Sequence, residues 1–120
     1  WIQNHKTGAL ISCCAHVASI LLNANNDQKI KLINYANHIG LAFQIADDLL
    51  DFDGNEDSMG KPVGQDNKNE TPNFVTILGK AKAKKRAIDE SNKAINLIQK
   101  FKQESENLVS LAKYTVNRNK

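Results

Sequence analysis

The sequence has few of the features that mark secreted or membrane-spanning chains. Only two of its 120 residues are cysteines, and they are adjacent, at Cys13 and Cys14. Neighbouring side chains on a helix point in different directions, so this pair is poorly placed for a disulfide. No apolar run approaches the roughly 20 residues needed to cross a bilayer, and no secretory signal is found. These absences predict a cytoplasmic protein with reduced thiols and no membrane span.

Neither sign of charge dominates the chain. There are 16 Lys and Arg residues against 13 Asp and Glu, a net charge of +3. The basic run from Lys80 to Arg86 contains no interleaved aromatic residue, so we interpret it as a solvated helix face. We therefore expect no nucleic-acid partner.

The period of a β-strand is also missing, whereas helical spacing recurs along the chain. Hydrophobic residues make up 41% of the sequence, enough for the modest core of a single domain, here residues 1–120. Their spacing predicts an all-α chain with helices over about 8–22, 28–52, 73–78, 80–102 and 106–118. We expect the first helix to be largely buried, Asp27 to cap the second, and Gly79 to end the third.

Both prolines and three of the six glycines lie between residues 53 and 72. This clustering predicts a long loop, of the kind that often covers an active site. Gly40 stands inside the predicted second helix, where a glycine destabilises the helix by roughly 1 kcal/mol relative to alanine. Its presence there indicates the close approach of another helix or of a ligand.

Three carboxylates interrupt the apolar residues near the end of that second helix. Asp47 and Asp48 lie four and three residues before Asp51, so all three can share one face, with Gln44 one turn earlier. Crowded carboxylates repel one another and are unfavourable when buried unpaired. Oxygen ligands of this kind suit Mg²⁺, with Mn²⁺ as a substitute. A solvated acidic face and a metal site both remain open at this point.

Two lysine segments can balance that charge. Lys6-Thr7-Gly8 is predicted to open the first helix, where free N–H groups favour anions. Gly60-Lys61 follows Asp51 within the predicted loop. An ordinary helix start and a solvated loop lysine are the alternatives. Together, the lysines and acids indicate a metal-assisted diphosphate site that can ionise an allylic C–O bond.

Taken in order, these motifs resemble those of one enzyme family, the trans-isoprenyl diphosphate synthases. The likeness is greatest to the bacterial farnesyl diphosphate synthases, or geranyltranstransferases. The segments that carry it are Lys6-Thr7-Gly8-Ala9-Leu10-Ile11, Gly40-Leu41-Ala42-Phe43-Gln44, Asp47-Asp48-Leu49-Leu50-Asp51, Gly60-Lys61 and Val116-Asn117-Arg118-Asn119-Lys120. It runs through the whole chain but covers only the C-terminal part of such an enzyme, so we expect a piece of a longer protein.

The resemblance implies the C-terminal part of an all-α isoprenoid synthase bundle. The implied reaction condenses an allylic diphosphate (dimethylallyl or geranyl) with isopentenyl diphosphate to give farnesyl diphosphate. By this likeness Asp47, Asp48 and Asp51 form the second aspartate-rich motif and bind Mg²⁺. The implied catalytic and substrate-binding residues are Lys6, Thr7, Gln44 and Lys61, and Phe43 is a further substrate-binding residue.

The sequence also departs from the family pattern. A lysine that the family usually has just before Thr71 is missing here, unless Lys68 replaces it. The first aspartate-rich motif and the isopentenyl diphosphate site lie outside these 120 residues. We therefore expect the chain alone to be inactive and to associate with its N-terminal half, in an enzyme that forms a homodimer. The alternatives are a geranyl or geranylgeranyl diphosphate synthase and a non-catalytic helical subunit of such a synthase.

Overall fold

The computed structural model describes residues 2–59 and 73–117, which are helical throughout apart from short connections. No strand occurs among these residues, so the predicted all-α class is confirmed. In chain order the elements are α1 (Ile2–Leu21), α2 (Asn26–Met59), α3 (Phe74–Leu78), α4 (Lys80–Ile98), a 3-10 helix (Gln99–Ser105) and α5 (Glu106–Asn117). Within the described ranges, no helix combines the length and hydropathy required to cross a membrane.

Helix α2 is the central element of the fold. It packs against α1 and against α4, while α5 and the 3-10 helix pack on α4. One core cluster joins α2 to α4 and α5, and its buried members are Tyr35, Ile39, Ala94, Ile95, Ile98 and Ala112. A second cluster lies further along α2 and consists of Ile45, Val75, Ala83 and Ala87. Because Val75 belongs to α3, the second cluster fixes α3 against the acidic end of α2.

The first turn of α2 is capped by Asn25. The N–H of Gln28 donates to Asn25 Oδ1 at 2.8 Å, and the N–H of Asn25 donates to Gln28 Oε1 at 3.1 Å. This reciprocal pair satisfies two donors at the start of the helix. The prediction that Asp27 is the cap was therefore wrong. Asp27 instead forms an ion pair with Lys31 at 2.9 Å, one turn along the helix.

The short helix α3 has well-defined ends on both sides. Asn73 caps its start, with the Asn73 side chain accepting from the N–H of Thr76. Gly79 ends it with a φ of 85°, and the N–H of Gly79 donates to the carbonyl of Val75. Positive φ favours glycine, so the predicted stop at Gly79 is confirmed. With only Gly79 between them, α3 and α4 are closely coupled in position.

Helix α2 is longer at its C-terminal end than the sequence predicts. It continues to Met59, so the prediction of a loop beginning at residue 53 was wrong for residues 53–59. Phe52 packs on the second core cluster, and Asp53 forms an ion pair with Lys80 at 2.7 Å. Both contacts stabilise the added turns against α4. The rest of the predicted loop, residues 60–72, lies outside the described residues.

Helices α1 and α2 approach each other most closely at two glycines. A Cβ atom built on Gly40 would lie 3.2 Å from the Cα of Gly8 and 3.8 Å from Ile11 Cδ1. The prediction that Gly40 marks a close approach is thus confirmed, and the approaching group is α1. The short connection between the two helices makes them antiparallel. Residues before Gly8 on α1 therefore lie level with residues after Gly40 on α2.

Helix α1 was predicted to be largely buried, and this was wrong. Leu10, Val17 and Leu21 are 67%, 49% and 75% exposed. Cys13 and Cys14 are free and exposed, and their spacing places them between Leu10 and Val17 on the same side of the helix. The described residues pack on α1 mainly from α2, so one face is buried. The other face is an exposed apolar stripe.

Candidate active site

The three aspartates lie in the second half of α2, each in a different environment. Asp47 and Asp48 are partly buried and Asp51 is exposed. Asp48 Oδ2 accepts the backbone N–H of Phe74 at 3.1 Å. Asp48 Oδ1 accepts from Gln44 Nε2 at 3.5 Å. Asp48 therefore connects the acidic end of α2 to the first residue of α3.

Burial and like charges make ionisation of Asp48 unfavourable. Desolvation raises its pKa most, and repulsion from Asp51 and Asp47 adds to that effect. The hydrogen bonds from Phe74 and Gln44 lower the pKa, but the net direction is upward. Both donors are neutral, so they orient the carboxylate without balancing its charge. A cation placed beside these aspartates would be stabilised by them.

The chemistry of these side chains fits a hard divalent cation. Asp47 and Asp51 are one helical turn apart on α2, and carboxylate oxygens are the ligands that Mg²⁺ and Mn²⁺ prefer. Among the side chains that the structure describes, however, no three acidic, histidine or cysteine groups lie together so that they could hold a metal ion. The metal site therefore remains a prediction, with Asp47 and Asp51 as its best-spaced pair.

Lys6 and Thr7 were predicted to open α1, but they lie inside this helix. Helix α1 already includes Ile2, so Lys6-Thr7-Gly8 lies within the helix. The argument from free N–H groups at a helix start was wrong for this segment. Antiparallel pairing at Gly8 and Gly40 nevertheless places Thr7 level with Leu41. Thr7 is then roughly 5 Å along the axis from Gln44, at 1.5 Å per residue.

The remaining predicted site residues are described to different extents. Gln44 is buried at 7% exposure, and Phe43 beside it is partly buried, as is Thr7 on α1. The side chain of Lys6 lies outside the described part of the chain, and so do Lys61 and Lys68. The structure thus brings Thr7, Gln44 and the aspartates to one end of the α1–α2 pair. The predicted roles of the lysines stay predictions.

Sequence reasoning missed a second buried carboxylate, Glu90 on α4. It is 2% exposed, and His38 Nδ1 lies 2.5 Å from its Oε2. Arg86 Nε and Lys93 Nζ donate to Glu90 Oε1 at 3.0 and 3.4 Å. Glu90 stands at helical spacing between the buried Ala87 and Ala94, on the predicted apolar face. That placement was the available signal of burial.

Cationic partners reverse the effect of burial on Glu90. Desolvation raises its pKa, but the hydrogen bonds from His38 and Arg86 and the charges of His38 and Lys93 lower it by more. Glu90 is therefore ionised near neutral pH, and His38 Nδ1 donates to it. An open depression of about 330 Å³, lined in part by His38 and Lys93, gives water access to this pair.

Comparison with known proteins places these features in a family. The polyprenyl synthetase family matches residues 2–114. The chain is 35% identical over 119 residues to a farnesyl diphosphate synthase of Micrococcus luteus, covering 99% of the chain and 41% of that protein. It is 34% identical to a dimethylallyltranstransferase of Fischerella ambigua, covering 98% of the chain and 34% of that protein. It is also 34% identical to a geranylgeranyl diphosphate synthase of Cyanophora paradoxa, covering 99% of the chain and 40% of that protein.

The matches extend over nearly the whole chain but over a limited part of each relative. The chain spans between 34% and 41% of the length of these three proteins. The family match includes Thr7, Gln44 and the three aspartates, and it ends within α5. On the strength of that match and of the all-α structure, the chain belongs to the polyprenyl synthetase family.

Proposed function

We propose that this chain is the C-terminal part of a trans-prenyltransferase. The enzyme would join geranyl diphosphate to isopentenyl diphosphate, with release of inorganic diphosphate and a proton, to give farnesyl diphosphate. Dimethylallyl diphosphate would first undergo the same step to give geranyl diphosphate. Family membership supports the reaction class. The observation that carries the assignment of the site is Asp48, a partly buried carboxylate whose hydrogen-bond donors in the described chain are both neutral. Asp47 and Asp51 add negative charge beside it.

The aspartates serve to concentrate negative charge at one end of α2. Asp47, Asp48 and Asp51 would hold Mg²⁺, or Mn²⁺, together with the diphosphate of the allylic substrate. When bound, Mg²⁺ stabilises the negative charge that develops on a departing diphosphate. Lys6 and Lys61 would bind the same diphosphate directly as point charges. Their positive charge favours ionisation of the allylic C–O bond.

Gln44 and Thr7 have the dipoles needed on the carbon side of the bond. Gln44 Nε2 donates to Asp48, which fixes the orientation of the amide and leaves its carbonyl oxygen pointing away from that carboxylate. A carbonyl oxygen and the Thr7 hydroxyl oxygen both stabilise nearby positive charge. They would orient the allylic substrate and stabilise its developing cation, while Phe43 contributes apolar surface beside them.

The length of the product is the finer part of the proposal. Relatives named for different products match this chain with nearly equal identity, 34% for the geranylgeranyl diphosphate synthase and 35% for the farnesyl diphosphate synthase. Farnesyl diphosphate is our assignment because the likeness of the motifs is greatest to the bacterial farnesyl enzymes. Geranyl and geranylgeranyl diphosphate are the alternative products.

A non-catalytic helical subunit is the second candidate function. It is favoured by one observation, namely that the described residues do not gather three metal-ligating side chains. In such a protein, the acidic end of α2 would be retained as part of the fold alone. The two candidates differ in whether the full-length protein forms a product when Mg²⁺ is added.

The deciding experiment is an assay of the purified full-length gene product. It is incubated with geranyl diphosphate, labelled isopentenyl diphosphate and MgCl₂, and the products are separated by chain length. We expect farnesyl diphosphate to form, and EDTA to abolish its formation. A C15 product lost on chelation supports the enzyme, whereas no turnover at any Mg²⁺ concentration would leave the helical subunit. We expect the 120-residue chain alone to be inactive, and the full-length protein to elute as a homodimer.

A further inference from the structure

Among the described residues, Glu90 forms a buried charged contact between α4 and α2, with His38, and Asp53 forms a half-exposed one, with Lys80. Two of the three partners of Glu90, Arg86 and Lys93, lie on its own helix, so they stabilise its charge without connecting elements. Only His38 reaches it from α2, across 52 positions in the sequence. Burying a carboxylate destabilises the folded state unless the carboxylate is paired. For packing alone, an apolar residue would therefore be more favourable at this position. Buried polar pairs are best known for setting register between helices.

The apolar contacts between α2 and α4 are weak determinants of register only near the aspartates, because the large side chains Ile95 and Ile98 pack at the other end of the interface. Beside Ile45 of α2, helix α4 presents the small side chains of Ala83 and Ala87. Methyl groups leave shallow ridges, so they oppose sliding of one helix along the other less than large side chains would. The ion pair of Asp53 with Lys80 is about half exposed on both sides and contributes little. The hydrogen bond from His38 to Glu90 has the strict geometry that these contacts lack.

A shift of α4 along α2 would reach the aspartates through α3. Helix α3 ends at Leu78 and α4 begins at Lys80. Val75 of α3 also shares a core cluster with Ala83 and Ala87 of α4, so a shift of α4 displaces α3. The N–H of Phe74 at the other end of α3 is 3.1 Å from Asp48 Oδ2. Displacement of α3 by about 1 Å would take this contact beyond the range of a hydrogen bond. Asp48 would then lose the donor that orients it.

We propose that Glu90 is a positioning residue for the aspartate site, and that His38 is its partner. By accepting the hydrogen bond of His38, Glu90 holds α4 and α3 in the register at which Phe74 donates to Asp48. Glu90 touches neither substrate nor metal, and it acts through His38, α3 and Asp48 in turn. Its importance for catalysis rests on the proposed function, but the structural link to Asp48 can be measured without turnover.

The test uses two substitutions at His38 in the full-length gene product. His38→Leu removes the donor and introduces an apolar side chain of similar bulk. His38→Asn places an amide N–H near the position of Nδ1. Asp27→Asn, which removes an exposed ion pair on the same helix, is the matched control. Hydrogen exchange is followed by mass spectrometry at Phe74. The Mg²⁺ concentration for half-maximal turnover is measured in parallel.

We expect His38→Leu to speed exchange at Phe74 about tenfold and to raise the Mg²⁺ requirement severalfold. His38→Asn should restore both values, and Asp27→Asn should change neither. Unchanged exchange at Phe74 in His38→Leu would overturn the proposal. So would a uniform rise in exchange over α2 and α4 in both His38 variants, because that pattern reports general loosening. If the wild type had no turnover but the exchange pattern held, the proposed function would fail and the link from Glu90 to Asp48 would stand.

Discussion

Asp48 of α2 is partly buried and Glu90 of α4 is almost fully buried, and the two carboxylates differ in the charge around them. Glu90 accepts from His38, Arg86 and Lys93, and its pKa is lowered. Asp48 accepts from a backbone N–H and an amide, stands near two further aspartates, and has a raised pKa. Burial opposes ionisation in both cases, so the sign of each shift is set by the partners.

This contrast separates a carboxylate whose charge is balanced by cationic neighbours from one whose hydrogen-bond donors are both neutral. The charge of Glu90 is balanced within the described chain, so removing that charge should harm stability. The two hydrogen-bond donors of Asp48 orient its carboxylate but do not balance its charge. Removing that charge should therefore stabilise the folded state and lower the rate of the proposed reaction. Stability should therefore respond in opposite ways to the loss of charge at the two positions.

The largest expected effect is on turnover at the acidic end of α2. Asp47→Asn in the full-length gene product should lower turnover by about 10² to 10³, the typical loss when one preorganised electrostatic contact is removed. Steady-state assays over a range of Mg²⁺ should show a raised metal requirement. Asp89→Asn, an exposed aspartate on α4, is the control and should leave turnover and Mg²⁺ dependence unchanged. Equal behaviour of the two variants would remove Asp47 from the site.

The next effect is on stability at Glu90. Glu90→Gln keeps the size of the side chain but removes the charge that three donors share. We expect the free energy of unfolding to fall by about 1–3 kcal/mol, the range for losing charged hydrogen bonds in a buried place. Urea titration of wild type and variant at neutral pH measures the difference. A variant as stable as the wild type would contradict the view that this cluster holds α4 to α2.

The pH dependence of that stability difference is a sharper check. Because the folded pKa of Glu90 lies below its unfolded value, its stabilising effect is complete above the ordinary glutamate pKa of about 4.3. It is lost as the pH falls through the lower, folded value. The gap between wild type and Glu90→Gln should therefore still be present at pH 5 and close under more acidic conditions. A gap that widens in acid would mean that the direction of the shift is wrong.

The smallest effect is expected at Asp48. Asp48→Asn keeps an oxygen that can accept from Phe74, and it removes a charge whose ionisation is unfavourable. Its free energy of unfolding at neutral pH should lie within about 0.5 kcal/mol of the wild-type value or above it. Because the pKa of Asp48 is raised in the folded state, protonation in acid removes the unfavourable charge from the wild type. Any excess in the free energy of unfolding of Asp48→Asn over the wild type should therefore shrink as the pH falls. A clear loss of stability at pH 7 would show that the charge itself is held favourably.

Much of the fold could be predicted from local patterns, and the errors have physical causes. Gly79 as a helix end and Gly40 as a close approach depend on the absence of a side chain, which a sequence displays directly. The cap of α2 was misplaced because Asn25 and Asp27 are both good capping residues, and only the bond to Gln28 distinguishes them. The burial of α1 was overestimated because apolar composition does not reveal which neighbouring elements are present.

Local spacing was enough to select candidate site residues, but it did not give their arrangement. The spacing of Asp47, Asp48 and Asp51 gave one shared face. It could not show that Asp48 turns to the N–H of Phe74, because that contact spans 26 positions and depends on how α3 packs. The contact of Glu90 with His38 was missed for a similar reason. His38 lies 52 positions away, and no local pattern links the two residues.

The exposed stripe on α1 also gives the molecule a chemical reporter. Cys13 and Cys14 lie within this stripe as free thiols, between Leu10 and Val17. A maleimide reagent will therefore alkylate them quickly whenever this side of α1 is open to solvent, and slowly whenever another surface is seated on it. The labelling rate of two native side chains thus measures the covering of α1 directly, with no substitution and no assay of turnover.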